Sequence, residues 1–510
     1  MVEQQCEARS ISLADNKTTI NMNGKLFLFG IGGTGSRVVK SLVMLAASGV
    51  DIQAKAIVPI IIDPDFANAD LTRTIELIKT YAAVRKSLDF NASYDNQFFK
   101  IDFQDVVDGF RLKLRDTKNK KFREFIQYDT LNKDNQALAS MLFSKENLDS
   151  DMEVGFKGNP NIGSVVLNQF TDSEDFISFA AAFNPGDRVF IVSSIFGGTG
   201  ASGFPLILKN IRSIANDLPN CQAIKNTPIG AITVLPYFAV QPDENSKINS
   251  STFIGKTKAA LHYYEKNVTG DNSSVNVLYY IGDDRNKQYP NEEGGQTQRN
   301  NAHIVEFASA LSIVDFAGID DDDTSMLCAQ DANGRVYAPS PKFKEFGIDN
   351  DSSNVLFTDL SRNTREIVCE PMTQFVLTAK YIKEHLADAL PLPWAKDNNI
   401  NSSFLKSSFV SDFKTVSQSY LDWLDEMKDN NRGFEPFKTD IKGHELFSIV
   451  ENVRPGKVRS LKGFLKKGYD LFDAFMDSKH KSLPKCSIQQ KFTELFFLVT
   501  RDLVNEKYKF

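Results

Sequence analysis

Cysteine and histidine are scarce in this chain of 510 residues, five of each, and their placement excludes more than their number does. Cys6, Cys221, Cys328, Cys369 and Cys486 are scattered and form no CxxC pair, so neither a disulfide framework nor a thiolate zinc site is expected, and a reducing, cytoplasmic setting fits. The histidines are equally dispersed. No apolar run approaches the roughly 20 residues that a membrane-crossing helix needs, so no membrane insertion is expected. The first twenty residues are polar and include acids, which is not the pattern of a secretory signal. A net charge of -6 without a long basic run argues against nucleic-acid binding. No period of 20 to 50 residues is visible, which excludes a repeat architecture.

What is present is an ordinary globular composition, 42% hydrophobic and 24% charged, in a chain long enough for two or three domains. The stretch from Arg188 to Arg212 organises the rest. Val189 to Val192 is a β-branched and aromatic run suited to a buried strand, and Leu206 to Ile214 has helical spacing. Between them lies Phe196-Gly197-Gly198-Thr199-Gly200-Ala201, followed by Ser202 and Gly203. Glycines there let the backbone turn and approach an anion, and the hydroxyls of Thr199 and Ser202 stand near the helix start, so the stretch reads as a phosphate cradle.

A second such unit opens the ordered part of the chain. The strand Lys25 to Phe29 runs into Gly30, Ile31, Gly32, Gly33, Thr34, Gly35 and Ser36 and then into a helix from Arg37 to Ala47, the arrangement that holds phosphates with backbone N–H groups and the helix dipole. The next strand, Ala56 to Ile62, ends in Asp63-Pro-Asp65. A carboxylate there meets a ribose hydroxyl or a metal, or else the stretch is a turn in which Asp65 or Asn68 caps the following helix. After a polar insertion of about 89–151 comes a third glycine stretch, Gly155 to Ser164, containing Gly158, Asn159, Pro160 and Gly163.

The opening GxGGxGS, the DPD and Asp70-Leu-Thr-Arg73 resemble the adenylating enzymes that activate ubiquitin-like proteins, but those also need a reactive cysteine and usually a CxxC pair. GFKGNPNIG at 155–163 is similar to the GAGANPEIG loop of bacterial FtsZ, and FGGTGASGFP at 196–205 to its GGGTGTGAAP. Three loops in this order resemble the tubulin/FtsZ superfamily, in its divergent bacterial tubulin-like branch. The resemblance implies an α/β fold: a Rossmann-type nucleotide-binding domain at 25–320 with a central helix, a smaller mixed second domain at 321–385 and a helical region at 386–510, after an N-terminal extension at 1–24. It implies GTP with Mg2+, held by the three loops and by Asp63 or Asp65. Asn301, near the start of a long helix read from Asn300 to Phe316, would contact the base; otherwise Asn300 and Asn301 cap that helix. It also implies that an acidic loop, here Asp320, Asp321, Asp322 and Asp323, completes the site of a neighbouring copy, orients the attacking water and so links hydrolysis to filament formation. This run does not spell the family's GxxNxD, and the alternative is a solvated surface loop.

Further along, Gln241 to Lys247 resembles a ribose-side loop. Gly255-Lys-Thr257 echoes a Walker A end but falls mid-helix in Thr252 to Glu265 and is discounted. From Arg335 to Tyr381, short alternating segments at Val355–Phe357, Glu366–Val368 and Phe375–Tyr381 suggest a small sheet. Helical spacing recurs at Phe409 to Lys428, Leu461 to Met476 and Ile488 to Lys507, an extension that packs on the body, lines a filament or recruits a protein partner. Two other classes stay open: a nucleotide-gated scaffold or sensor without turnover, and an adenylating or dinucleotide-dependent enzyme using the first loop alone.

Overall fold

The computed structural model describes residues 24–65, 67–152, 156, 159–241, 253–270, 272–283, 288–289, 295, 300–346, 354–430, 432–457 and 466–510. Gly158, most of the expected ribose-side loop at 241–247 and the first residues of the helix expected from Leu461 to Met476 lie outside those residues.

Six strands, β1 (Leu26–Ile31), β2 (Ile57–Ile62), β3 (Arg188–Ser194), β4 (Ile229–Val234), β5 (Val277–Ile281) and β6 (Lys342–Glu345), form one parallel sheet in the order β2-β1-β3-β4-β5-β6. β1 to β4 are buried along their whole length, which is why they read as continuous apolar runs rather than as alternation. Outside β2, Phe103 and Arg111 bridge in parallel to Ile57 and Ile61. Counting that short segment, the first six strands take the 3-2-1-4-5-6 order of a doubly wound sheet, with β6 added as a seventh at the far edge, and the switch point lies between β1 and β3. Gly30 stands abreast of both Ile61 and Val192, so the central strands end together at one edge.

The helices needed here are α1 (Gly32–Ala47), α2 (Ala69–Arg85), α3 (Lys133–Leu142), α4 (Pro160–Leu167), α5 (Glu174–Ala182), α6 (Gly198–Arg212), α7 (Phe253–Asn267) and α8 (Ile304–Ala317). On one sheet face, Phe27 and Phe29 meet Phe179 of α5 edge-on at 5.2 and 5.3 Å. On the other, Phe316 of α8 lies 5.4 Å from Phe190 of β3. α8 is the central helix. It is apolar all round, and Asp315 alone is exposed among its 14 residues, as befits a helix enclosed on every side.

Its outer enclosure is the C-terminal region, α9 (Arg362–Glu384), α10 (Ser408–Lys428), α11 (Gly468–Lys479) and α12 (Ile488–Lys507). Trp423 of α10 lies 6.0 Å from Phe307 of α8 and donates its indole N–H to Ser41 of α1 at 3.3 Å. Glu494 of α12 accepts the backbone N–H groups of Asp95 and Asn96 at 2.7 and 3.1 Å. The C-terminal helices therefore pack on the body. Among the described residues no helix is long and apolar enough to cross a membrane.

Two expectations need correction. Glu366–Val368 and Phe375–Tyr381 are not strands but parts of the 23-residue helix α9. Pro371 breaks the apparent helix in the sequence, and the residues after it are buried on all sides, from Met372 to Ile382, so no 3.6-residue period shows. The remaining strand residues gather into no separate sheet larger than a pair: β6 joins the main sheet, Ala329–Gln330 pairs with Val336–Tyr337, and Asn354–Val355 pairs with Gly433–Phe434. The long helix begins at Ile304 rather than Asn300, because His303 caps it: its Nδ1 accepts Val305 N–H at 3.1 Å and Glu306 closes the capping box.

Candidate functional site

At the carboxyl edge of the sheet, three helix starts converge. β1 passes into α1 with no residue between, because Gly32 turns the chain at φ +70°, a left-handed conformation that side chains resist. A Cβ on Gly32 would stand 3.5 Å from the Thr199 side chain, so the first and third loops touch. The second joins them: a Cβ on Gly163 would lie 2.2 Å from Ser202 Oγ and 3.1 Å from the Gly198 carbonyl, a close approach that seats α4 on α6. Pro160 begins α4, where its missing N–H is no loss.

The three starts share a second property. Neither Ile31, nor Asn159, nor Gly197 caps its helix with a side chain, and Lys467 before α11 does not either, whereas Asn68, Ser173, His303, Ser361, Ser407 and Ser487 cap theirs. The first N–H groups of α1, α4 and α6 are thus left for an anion at the switch point, where the dipoles add. Gly30 and Gly35 pack closely, Gly33 is half-buried, and Thr34, Ser36, Gly198, Gly200 and Ala201 are buried around this space. Thr199 is half-exposed at its rim. Phe196 is placed differently from its neighbours. Its buried ring packs against Phe238 at 5.6 Å and Phe253 at 5.1 Å, tying the loop to β4's exit and to α7.

Asp63 and Asp65 are both buried at the end of β2. Asp65 accepts Ala67 N–H at 3.1 Å and Gly295 N–H at 2.6 Å, so it closes the turn, while Asn68 caps α2 through Asp70 and Leu71 N–H. Asp63 accepts the Asp65 N–H at 3.0 Å, and burial pushes its carboxyl up to about 7 despite the neighbouring Arg111. Arg111, in turn, is brought down to about 10 by burial.

On the base side the structure assembles a charged group the sequence did not announce. Arg37 is buried and donates to Glu306 at 2.5 Å, to Asp70 at 3.2 Å and to the Tyr237 hydroxyl at 2.8 Å, while that hydroxyl donates to Glu306 at 2.7 Å. Burial alone would raise Asp70, but Arg37, Asn300 and Arg73 outweigh it and hold its carboxyl below the ordinary range. Asn300 is committed to Asp70 through its side chain, 2.8 Å, and does not cap α8. Asn301 is exposed and lines a narrow cleft of about 20 Å³ together with Tyr237, Phe238, Tyr289 and His303. Arg73 reaches both Asp70 and Glu426, fastening α2 to α10. The only sequence signal for this cluster was Asp70 and Arg73 one turn apart.

The acidic run lies at the opposite edge. Asp321 pairs with Arg188, the first residue of β3, and Leu327 just beyond accepts from Asn276, next to the start of β5. β3 spans seven residues, which at about 3.3 Å each puts roughly 20 Å between this run and the glycine loops of the same molecule. The four carboxylates are not equivalent. Asp323 binds Lys342 at 2.5 Å and accepts from Ser325, and these bonds draw it down to about 2. Asp320 and Asp322 are exposed and paired with no cation among the described residues. Among those residues no three His, Cys, Asp or Glu side chains are gathered to hold a metal ion.

No protein-family model matches the chain, and no curated protein matches it. Among solved structures it is similar to CetZ2 from Haloferax volcanii in a GTPgS-bound protofilament (12% identity, TM-score 0.28, 59% of this chain and 61% of that one). It is also similar to CetZ1 from Haloferax volcanii as a GDP-bound monomer (14%, 0.30, 59% and 64%) and to TubZ-Bt in a helical two-stranded filament (13%, 0.27, 64% and 63%). The chain spans about three-fifths of the length of these structures. Likenesses this distant do not fix a function, and the α/β fold rests on the strand order given above.

Proposed function

We propose that the chain is a tubulin/FtsZ-like protein of the bacterial tubulin-like kind, working in the cytoplasm, that binds GTP and assembles head to tail into filaments. The observation that carries this reading is the convergence of three uncapped helix starts at the switch point of a doubly wound sheet. Gly32, Gly33, Thr34, Gly198, Thr199 and Gly200 would hold the phosphates through backbone N–H groups, and Gly158 and Asn159 of the second loop would face the terminal one. Asp63 would meet the sugar, and Asn301 the base. Mg2+ would arrive on the triphosphate, since it retains its waters readily and needs few protein carboxylates; it would offset the charge that develops on the transferred group.

Hydrolysis falls to a second copy. The acidic run stands at the far edge, so the exposed Asp320 and Asp322 can orient a water only at the next subunit's site, while Asp321 and Asp323 hold the loop's shape. Calorimetry tests the first half: GTP should bind, with NAD silent. Tight NAD binding without GTP binding would overturn it and return the dinucleotide-enzyme reading to first place. A second reading has its own support, because half of the acidic run is tied up in salt bridges. If GTP binds and no phosphate is released at any protein concentration, the chain is a nucleotide-gated scaffold.

A further inference from the structure

Beyond Arg111 the insertion between β2 and the second glycine loop adds nothing to the sheet, and its placement gives it a use. Arg111 bridges to Ile61, one residue short of the end of β2, so the chain from Leu112 onward leaves from the glycine-loop edge. It returns alongside this segment at Met152, whose N–H donates to the Lys120 carbonyl at 3.0 Å, just before the second loop. Residues 111–123 hold seven cations against one acid. Leu112 and Leu114 are buried and Lys113 and Arg115 exposed, an alternation that lays the segment down as a strap with its charges outward. The strap is fixed, not loose: Lys113 N–H donates to Asp175 at 2.7 Å and Arg115 N–H to Gln169 at 3.0 Å. Lys118 is exposed and pairs with no carboxylate among the described residues.

Beyond the strap, α3 shows solvent an apolar face. Leu138, Met141 and Leu142 are 55%, 84% and 58% exposed, while Ala139 is the one buried residue of the helix. Exposed apolar side chains grouped on one short helix mark an interaction surface, and beside it Lys118 and Lys121 are exposed and pair with no carboxylate among the described residues, whereas Lys113, Arg115, Lys120 and Arg123 are paired with acids of the same chain. The partner must carry negative charge with an apolar neighbour. This chain carries such a surface itself at the far edge of the sheet: Asp320 and Asp322, exposed, followed by Leu327, 52% exposed. About 20 Å of sheet separates the two surfaces within one molecule, so they can meet only between molecules.

We propose that the insertion is the receiving surface of the head-to-tail contact: the strap 111–123 and the apolar face of α3 dock the acidic loop of a second copy of this chain. This rests on the head-to-tail reading above and adds the residues that decide which copy fits. Unlike charges at the two ends favour head-to-tail pairing and oppose head-to-head, where strap would face strap.

The test is charge reversal with rescue, read by sedimentation of the full chain with GTP at low and high salt. Lys118→Glu with Lys121→Glu should cut the sedimenting fraction roughly tenfold, because like charges then face each other. Asp320→Lys with Asp322→Lys should do the same, and mixing the two variants in equal amounts should restore assembly, since each then offers one complementary end to the other. Met141→Asp, which alters no strap charge, should weaken assembly at both salt concentrations. GTP affinity measured by calorimetry on the dilute strap variant should stay at the parent value, which shows that it folds. Assembly unchanged by the strap variant, or no rescue on mixing, overturns the inference while leaving GTP binding intact. Loss of GTP binding in the parent protein would instead strike the nucleotide reading itself.

Discussion

Gly33 differs from its neighbour Gly32 in having an ordinary φ and in lying where an added Cβ would meet nothing but Arg37 Nη1, at 3.5 Å. In a helix, alanine is favoured over glycine by about 1 kcal/mol. Gly33→Ala should therefore leave thermal stability unchanged or raise it while narrowing the phosphate space, so that a melting curve and a GTP titration move in opposite senses. Asp63 gives a pH signature. Its native carboxyl titrates near 7 because it is buried, whereas unfolded aspartate titrates near 4, so between those values the native state holds a proton that the unfolded chain releases. Stability should fall as pH rises through that window, by up to about 4 kcal/mol, and level off above it. Asp63→Asn should flatten the curve, which urea unfolding at pH 5 and pH 8 would show. The glycine loops were legible because each is local: strand, turn and helix within a dozen residues. The Arg37 cluster was not, since its partners lie 33, 200 and 269 residues away and a lone arginine in a helix carries no mark of burial.

At the scale of elements, α1, α2, α8 and α10 are joined by charge as well as by apolar contact. Removing Arg37 leaves Glu306 buried without its counter-charge, a loss of about 3–5 kcal/mol, while Asp70 keeps Arg73. Arg37→Met should show that loss in chemical denaturation, and adding Glu306→Gln should recover part of it. Most strands were readable, since β-branched runs bounded by turn residues admit few alternatives. α9 was not, because an enclosed helix loses its period and a proline inside it imitates a boundary. α8 is enclosed too, yet it was readable from its apolar residues at Ile304, Phe307, Ala308, Leu311, Ile313 and Val314 after a glycine-rich turn. The basic strap escaped notice because leucines, Thr117 and Asn119 interrupt the charges, so no run forms in the sequence although the charges share one surface.

For the whole molecule, on the head-to-tail reading proposed above, the separation of the glycine loops from Asp320 and Asp322 would make turnover a property of pairs. Phosphate release per molecule should rise with protein concentration. Asp320→Asn with Asp322→Asn should lower release on the order of a hundredfold, the equivalent of about 3 kcal/mol of lost positioning, while GTP binding by single subunits persists. Release that is independent of concentration would rule out the shared site. Asp321→Asn should act otherwise, loosening the loop by leaving the buried Arg188 unmatched.

The same separation gives any row of subunits a direction. One tip ends in open glycine loops and the other in an open acidic loop, so the two tips are chemically different objects that grow at different rates. A subunit with both exposed aspartates reversed to lysine can still seat on an acidic tip through its own strap, but it presents nothing for the following strap to grip. Added at a small fraction of the total, it should stop elongation at that tip alone, a polarity that single-filament microscopy would see as one-sided growth.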